Sequence, residues 1–434
     1  MTSHQPRLLL IELNEFSVDL FRRGVTELQL PSIQRLMALK SSETVTEDSV
    51  EHRGLDPWVQ WVSIHTGVPS SQHGIVHLGD ASTDLNLRQL WETLSLNGVS
   101  SGVWGAMNAT RGTAKLCSFF LPDPWTFQED AFPAQLKDLL ALPRYYAKNY
   151  LDVSKTEFLV GALRLIRYVS CSGAFMECIK MIPLILKGLI CNGINNAMLF
   201  SLFDLFSTAL FLEQRKRSNT QLSIIFLNSI AHLQHHRWET GNRLSDDLKF
   251  GLQAIDRALG LLFASRTEGE ALVVMNALTQ RNIVHEKPRI CYRQVNPARF
   301  LNAVGFRFLS VEQLMTNDAH VFFASAADRG VASIVLNQTT VEGRALFDVK
   351  PSLQDPCKLF YQVDFWDELN VNTTVLVNGI NIRFFDHFEA IVARTGAHVP
   401  EGNAFFDGIA LPPKFHNHEV TAFLIRHLLS TNSN

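Results

Sequence analysis

Glu12 is the residue whose placement most needs a chemical explanation. It lies in the apolar run Leu8–Leu13 (LLLIEL), and a carboxylate in a buried strand is costly unless it is paired or ligated. A second concentration of reactive side chains is the run AHLQHH, which carries His232, His235 and His236. If this run begins a helix, His232 and His236, four apart, share a face. Imidazoles and carboxylates at strand ends are the donors that divalent ions take. A third concentration is DPWVQWVSIHTGVPSSQHGIVHLGD, Asp56 to Asp80. Asp56-Pro57 reads as a helix start, because proline is tolerated where its missing N–H has no partner anyway. Thr66-Gly67 reads as the end of that helix, where glycine takes a positive φ. A helix N-terminus favours anions, so Asp56 or an acidic substrate can occupy it. His73 and His77 flank the turn that follows, with structural and catalytic roles both open. His65, inside the apolar helix, reads as a core histidine. Trp58, Trp61, Trp104 and Trp238 could wall a pocket, but core packing accounts for each of them as well.

These residues need elements to position them. Leu8–Leu13 has the continuous apolar pattern of a buried parallel strand. Phe16, Leu20 and Phe21 follow at helical spacing, and Pro31–Ala38 opens with proline in a first turn. Arg88–Leu96 reads as a helix and Ser101–Ala109 as a second strand and its exit. The pattern resumes with a strand at Gln221–Asn228, a helix at Asp246–Phe263, a strand at Ala271–Leu278 and a closing helix at His418–Leu429. This alternation predicts an α/β fold, with a mostly parallel central sheet flanked by helices on both faces. Between Ala131 and Arg217 the texture is helical throughout. The predicted organisation is therefore a core of residues 1–130 and 218–434 with an inserted helical cap, 131–217. Met181–Leu212 is apolar enough to raise contact with a membrane. Lys187, Asn192, Asn195, Asn196 and Asp204 interrupt it, so no clean run of about 20 apolar residues exists. A buried cap is the preferred reading, and a homodimer interface is another use for it.

The chain has 434 residues, 46% hydrophobic and 19% charged, with net charge −3 and pI near 6.6. That balance gives no electrostatic case for nucleic acid, which needs a basic stripe. Thirty phenylalanines imply an extensive core or an apolar pocket. Six cysteines without a C-x-x-C pair read as reduced thiols of a cytosolic protein. The apolar run near the N-terminus is too short for a signal peptide. The expected location is cytoplasmic.

The pattern TG-x-x-x-x-x-HGI in the Asp56–Asp80 stretch resembles the nucleophile helix of the alkaline phosphatase superfamily, with the nucleotide pyrophosphatase/phosphodiesterase and sulfatase-like branches closest. PSIQRLMA is similar to the helix after that family's first strand. The resemblance implies two metal ions clamping a phosphoryl or sulfuryl group, and attack by Ser, Thr or a modified Cys. Most of the family's reactive positions are altered here. Its first ligand, an Asp, matches Asn14, and its nucleophile falls on Pro57, beside Asp56. Its phosphate-contacting Asn falls at His77 or Leu78. Its Asp-x-x-x-His pair matches Ala231 and His235. Its Asp-His strand end matches Ala277 and Leu278, with Asn276 and Gln280 the nearby polar residues. Its last ligand matches His398 in TGAHVPEG.

His235 and His398 belong to the same metal site in that family. The resemblance therefore implies one surviving site, for zinc or manganese, completed by His232, His236 or Glu12. Glu401, beside His398, could orient that ring or be a solvated loop acid. The implied function is a hydrolase acting on a small anionic phosphate, phosphonate or sulfate ester. Water replaces the lost nucleophile, with Asp56, Glu12 or His73 as the candidate general base. Asn14, Gln60, Trp61, His77, Asn276 and Gln280 are the candidate substrate contacts. Two alternatives stay open: a transferase, lyase or isomerase of a biosynthetic pathway, and an inactive relative that binds an anion or a partner.

Overall fold

The computed structural model describes residues 5–430 except 47, 49–54, 76, 81–86, 150–152, 194, 241–242, 288, 315–316 and 353–354. Its centre is a sheet whose strands include β1 (Leu8–Leu13), β2 (Lys40–Val45), β3 (Ser101–Trp104), β4 (Cys117–Leu121), β5 (Leu222–Leu227) and β6 (Ala271–Met275). Two late strands, Glu401–Asp407 and Lys414–His416, complete it. From one edge the order is Lys414–His416, β2, Glu401–Asp407, β6, β1, β5, β3, β4. Glu401–Asp407 runs against its neighbours β2 and β6, and the other pairings are parallel. The architecture is α/β, with a mostly parallel central sheet.

β1, β5 and β6 are buried along their whole length. Leu8 pairs with Leu222 on one side and Ala271 on the other, so the three strands end together. An all-apolar run suits a strand covered on both faces. Each buried Leu or Ile there contributes about 1.5–3 kcal/mol, which outweighs the cost of the single acid, Glu12, that β1 carries among them.

The local signals set the helices. Ser17 caps α1 (Val18–Leu28), accepting the Leu20 N–H. α2 (Pro31–Met37) starts on proline. Its next two N–H groups, of Ser32 and Ile33, donate to Asp256 on the helix Asp246–Ala264, each at 2.8 Å. α3 (Pro57–Thr66) starts on Pro57 and ends at Gly67, whose φ is 74°. The long helix Asn196–Ser218 packs on the sheet: Trp104 Nε1 donates to Ser207 Oγ at 2.7 Å, and Phe211 meets Trp104 and Phe119 edge-on.

Two compact units emerge. The first comprises residues 1–143, 159–283 and 395–434, and the second 144–158 and 284–394. The second is built on an antiparallel sheet ordered Phe347–Pro351, Lys358–Val363, Asp318–Phe322, Ser310–Gln313. Its own core includes Phe300, Phe347, Tyr361 and Phe384. These boundaries differ from the core-plus-cap division at 131–217. That segment is helical, but its longest helix, Asn196–Ser218, is a layer of the first unit's core. All six cysteines are free.

Candidate functional site

The exits of β1, β5 and β6 meet at one end of the sheet, the edge where parallel α/β sheets hold ligands. After β1 the chain turns through Asn14 to Glu15, whose φ of 53° is left-handed. After β5 comes the helix Ser229–His236. After β6 comes the strand Thr279–Asn282, paired antiparallel with Gly396–Val399 so that Gln280 faces His398.

Glu15 is the point of convergence and is 2% exposed. Its Oε2 lies 3.2 Å from His235 Nε2 and 3.1 Å from His398 Nε2, and also accepts a hydrogen bond from Gln280 Nε2. Its Oε1 accepts from Asn14 Nδ2 at 3.0 Å. The two imidazole rings stand 5.1 Å apart, centre to centre. Asn14 is held in turn: Trp61 Nε1 donates to its Oδ1 at 2.9 Å, and its own amide donates to Asn228 at 2.8 Å. Gln234 clamps the backbone, donating to the Glu15 carbonyl at 2.6 Å and accepting from the Ser17 N–H at 2.9 Å. The Thr395 N–H donates to the His235 carbonyl at 2.7 Å, tying that helix end to the strand that carries His398. Gly396 lets the strand pass close by, since a Cβ there would lie 2.4 Å from both the Gln234 carbonyl and Gln280 Oε1.

The electrostatics follow from this geometry. Burial pushes the Glu15 carboxyl upward, but the facing His398 and His235 outweigh it and hold the group well below the usual carboxylate range. His398 Nδ1 is 2.9 Å from the Leu55 carbonyl, which can only accept, so Nδ1 carries a proton. Its Nε2 lone pair then faces Glu15 Oε2, and that approach requires positive charge: a second ring proton or a cation between the groups.

The donor set fits a divalent ion. Glu15, His235 and His398 each offer one atom, all within 4.8 Å of one another. Two ligands on an ion at ~2.1 Å are roughly 3.0–3.4 Å apart, matching the 3.1 and 3.2 Å separations from Glu15. Two imidazoles and a carboxylate form a known hydrolytic zinc set, and also suit iron(II). The Leu55 carbonyl supplies the usual outer partner of a ligating imidazole.

The other expected residues fall at varied distances from this cluster. Asp56 lies on its outer side, with Oδ1 3.7 Å from His398 Nδ1 and its side chain 37% exposed. Glu12 is fully buried, its Oε1 2.7 Å from His65 Nε2. Trp61 and His65, one turn apart on α3, thus clip β1 through Asn14 and Glu12. His73 is a buried ring between Ser63 Oγ at 3.0 Å and the Ile75 N–H at 3.1 Å, and burial brings its pKa down to about 4. His77 accepts from Asn108 Nδ2 through its carbonyl. Gln60 bonds to Asp48 and Asn417, and Asn276 joins the Phe16 carbonyl to the Asn403 N–H. His232 stacks on Phe200 at 4.1 Å, and burial brings its pKa down to about 4. The His236 ring is 5.9 Å from that of His235. Ala231, Ala277 and Leu278 are buried without a donor to offer.

Sequence reasoning named His235 and His398 but passed over Glu15, one residue beyond the position aligned with a ligand. The available signal was an acid directly after a buried strand.

No protein-family model and no curated protein matches the chain. Among solved structures it is similar to phosphonoacetate hydrolase from Sinorhizobium meliloti 1021 in complex with phosphonoformate. Identity is 13%, coverage 98% of this chain and 96% of that one, and the TM-score 0.46. It is also similar to murine ectonucleotide pyrophosphatase/phosphodiesterase 5, an inactive variant in complex with AMP, at 10% identity, 98% and 96% coverage and TM-score 0.46. The human form of that protein matches at 10% identity, 97% and 94% coverage and TM-score 0.45. Likenesses this distant decide nothing here. The fold and the site stand on the chain's own geometry.

Proposed function

We propose that this protein hydrolyses a small anionic ester (phosphate, phosphonate or sulfate) at a centre where Glu15, His235 and His398 hold one divalent ion. The observation carrying this reading is the approach of two imidazole nitrogens to one buried carboxylate oxygen at 3.2 and 3.1 Å. When bound, the ion supplies Lewis acidity and lowers the pKa of water.

The chain's own residues do the rest. Asn14 and Gln280 fix the Glu15 carboxylate, and the Leu55 carbonyl fixes the ring of His398. α3 starts beside His398, and its N-terminal dipole favours a negatively charged substrate. Asp56 at that helix start is partly exposed and lies on the Nδ1 side of His398, so we assign it the role of general base acting through one bridging water. Glu12 shares its carboxylate with His65 in the core, which leaves Asp56 the better placed of the two acids.

The test is a panel of phosphate, phosphonate and sulfate esters with metal-loaded protein. Turnover that incorporates solvent oxygen, and that falls by about 10²-fold or more in Asp56→Asn, is the expected result. Metal-loaded protein that turns over no ester rejects the reading. Pro57, at the helix start where a hydroxyl nucleophile would be useful, favours a second reading: transfer or anion binding without hydrolysis. That reading predicts product without solvent oxygen, or thermal stabilisation by phosphate without turnover.

A further inference from the structure

A soluble amphipathic helix buries its large apolar residues and exposes polar ones. Two helices of this chain depart from that pattern by exposing many of their large apolar residues. In Lys155–Ser170 the buried residue is Gly161, where a Cβ would lie 3.0 Å from the side chain of Leu142. In Ile182–Asn192 it is Gly188, where a Cβ would lie 2.4 Å from the ring of Phe250. Each helix makes its buried contact through a glycine, keeps some apolar side chains (Leu165, Leu184, Ile185, Leu189) partly covered, and leaves others exposed. Leu159, Leu163 and Ile166, at i, i+4 and i+7, share one face and are 58%, 56% and 59% exposed. Ile182, Leu186 and Ile190 share a face of the other helix, and Ile190 is 84% exposed. An apolar surface of this extent marks something that covers it.

The surrounding charge selects the occupant. From Lys155 to Asn192, the span of the two helices, the cations are Lys155, Arg164, Arg167, Lys180 and Lys187, and the acids are Glu157 and Glu177. Glu177 is already engaged by Lys180 at 3.0 Å and Arg257 at 2.5 Å. The chain as a whole carries −3, so this stretch opposes the overall charge. A two-fold contact with a second copy would set the basic face against itself. An anionic lipid surface instead matches both the apolar stripe and its basic rim.

We propose that the helices Lys155–Ser170 and Ile182–Asn192 dock this protein on an anionic bilayer, lying in the plane of the interface. At 16 and 11 residues they fall short of the ~20 needed to cross. The helix Asn196–Ser218 is long and apolar enough to cross, but it is packed against Trp104 and Phe119.

Flotation of the full chain with vesicles tests this directly. The protein is expected to float with vesicles of phosphatidylcholine and phosphatidylglycerol, less with phosphatidylcholine alone, and to be partly released by high salt. Leu186→Glu with Ile190→Glu is expected to cut the bound fraction about tenfold or more. Leu163→Glu on the other helix should act in the same direction, and Arg164→Glu with Arg167→Glu should remove the preference for the anionic lipid. All these positions are exposed, so circular dichroism should be unchanged in each variant. Failure of the wild type to float with either vesicle overturns the proposal. So does a dimer that Leu186→Glu with Ile190→Glu makes monomeric without any lipid binding.

Discussion

The two oxygens of Glu15 have different surroundings. Oε1 faces the amide of Asn14, while Oε2 faces two imidazoles and the amide of Gln280. Asn14 therefore acts on an ion only through Glu15, and Asn14→Ala should weaken zinc binding about 10–100-fold, measured by competition with a chelator. Glu12 belongs to a different pair, closed off with His65 in the core. Removing one partner leaves the other buried and uncompensated. His65→Phe should thus cost about 3–5 kcal/mol in urea unfolding, and adding Glu12→Leu should recover most of that loss. His73 titrates near 4 instead of 6.5 because it is buried. Between those values the unfolded chain binds the extra proton, so stability is full above pH 6.5 and declines as the pH falls toward 4. His73→Gln should flatten that part of the urea-midpoint profile against pH. The sequence displays both acids, but the burial cost that singles out Glu12 is met by a neighbouring histidine. Glu15 draws its partners from His235, Gln280 and His398, and local pattern cannot show those contacts.

At the scale of elements, legibility tracks how local the cause is. α3 carries a start signal in Asp56-Pro57 and a stop signal in Gly67, and the observed helix runs between them. β1, β5 and β6 are apolar runs buried on both faces, and they read as such. The short strand Gly396–Val399 carries His398, yet only its pairing with Thr279–Asn282 reveals why Gly396 is there. A methyl at that position would collide with the Gln234 carbonyl and Gln280 Oε1. Gly396→Ala should push the strand outward and weaken metal binding by about tenfold or more while the sheet persists, read from chelator competition and far-UV circular dichroism.

For the whole molecule, the parallel centre of the sheet was legible because β1, β3, β5 and β6 are separated by helical stretches. β2, β4, Glu401–Asp407 and Lys414–His416 carry no such pattern and were not legible. Nor was the second unit, 144–158 with 284–394. Its outer strands Ser310–Gln313 and Phe347–Pro351 are short and half-buried, and no proline- or glycine-rich linker marks its borders. Helical texture alone also could not separate a core layer, Asn196–Ser218, from helices that expose their apolar side chains. Within the first unit, residues far apart in the chain meet where β1, β5 and β6 end, and the account rests on that meeting. Metal analysis of the purified, untagged protein tests it most directly. The account predicts about one equivalent of a divalent ion per chain, lost in Glu15→Gln, His235→Ala and His398→Ala while the fold is kept. Protein that binds no ion when offered zinc, manganese or iron(II), or variants that keep it, would contradict the account.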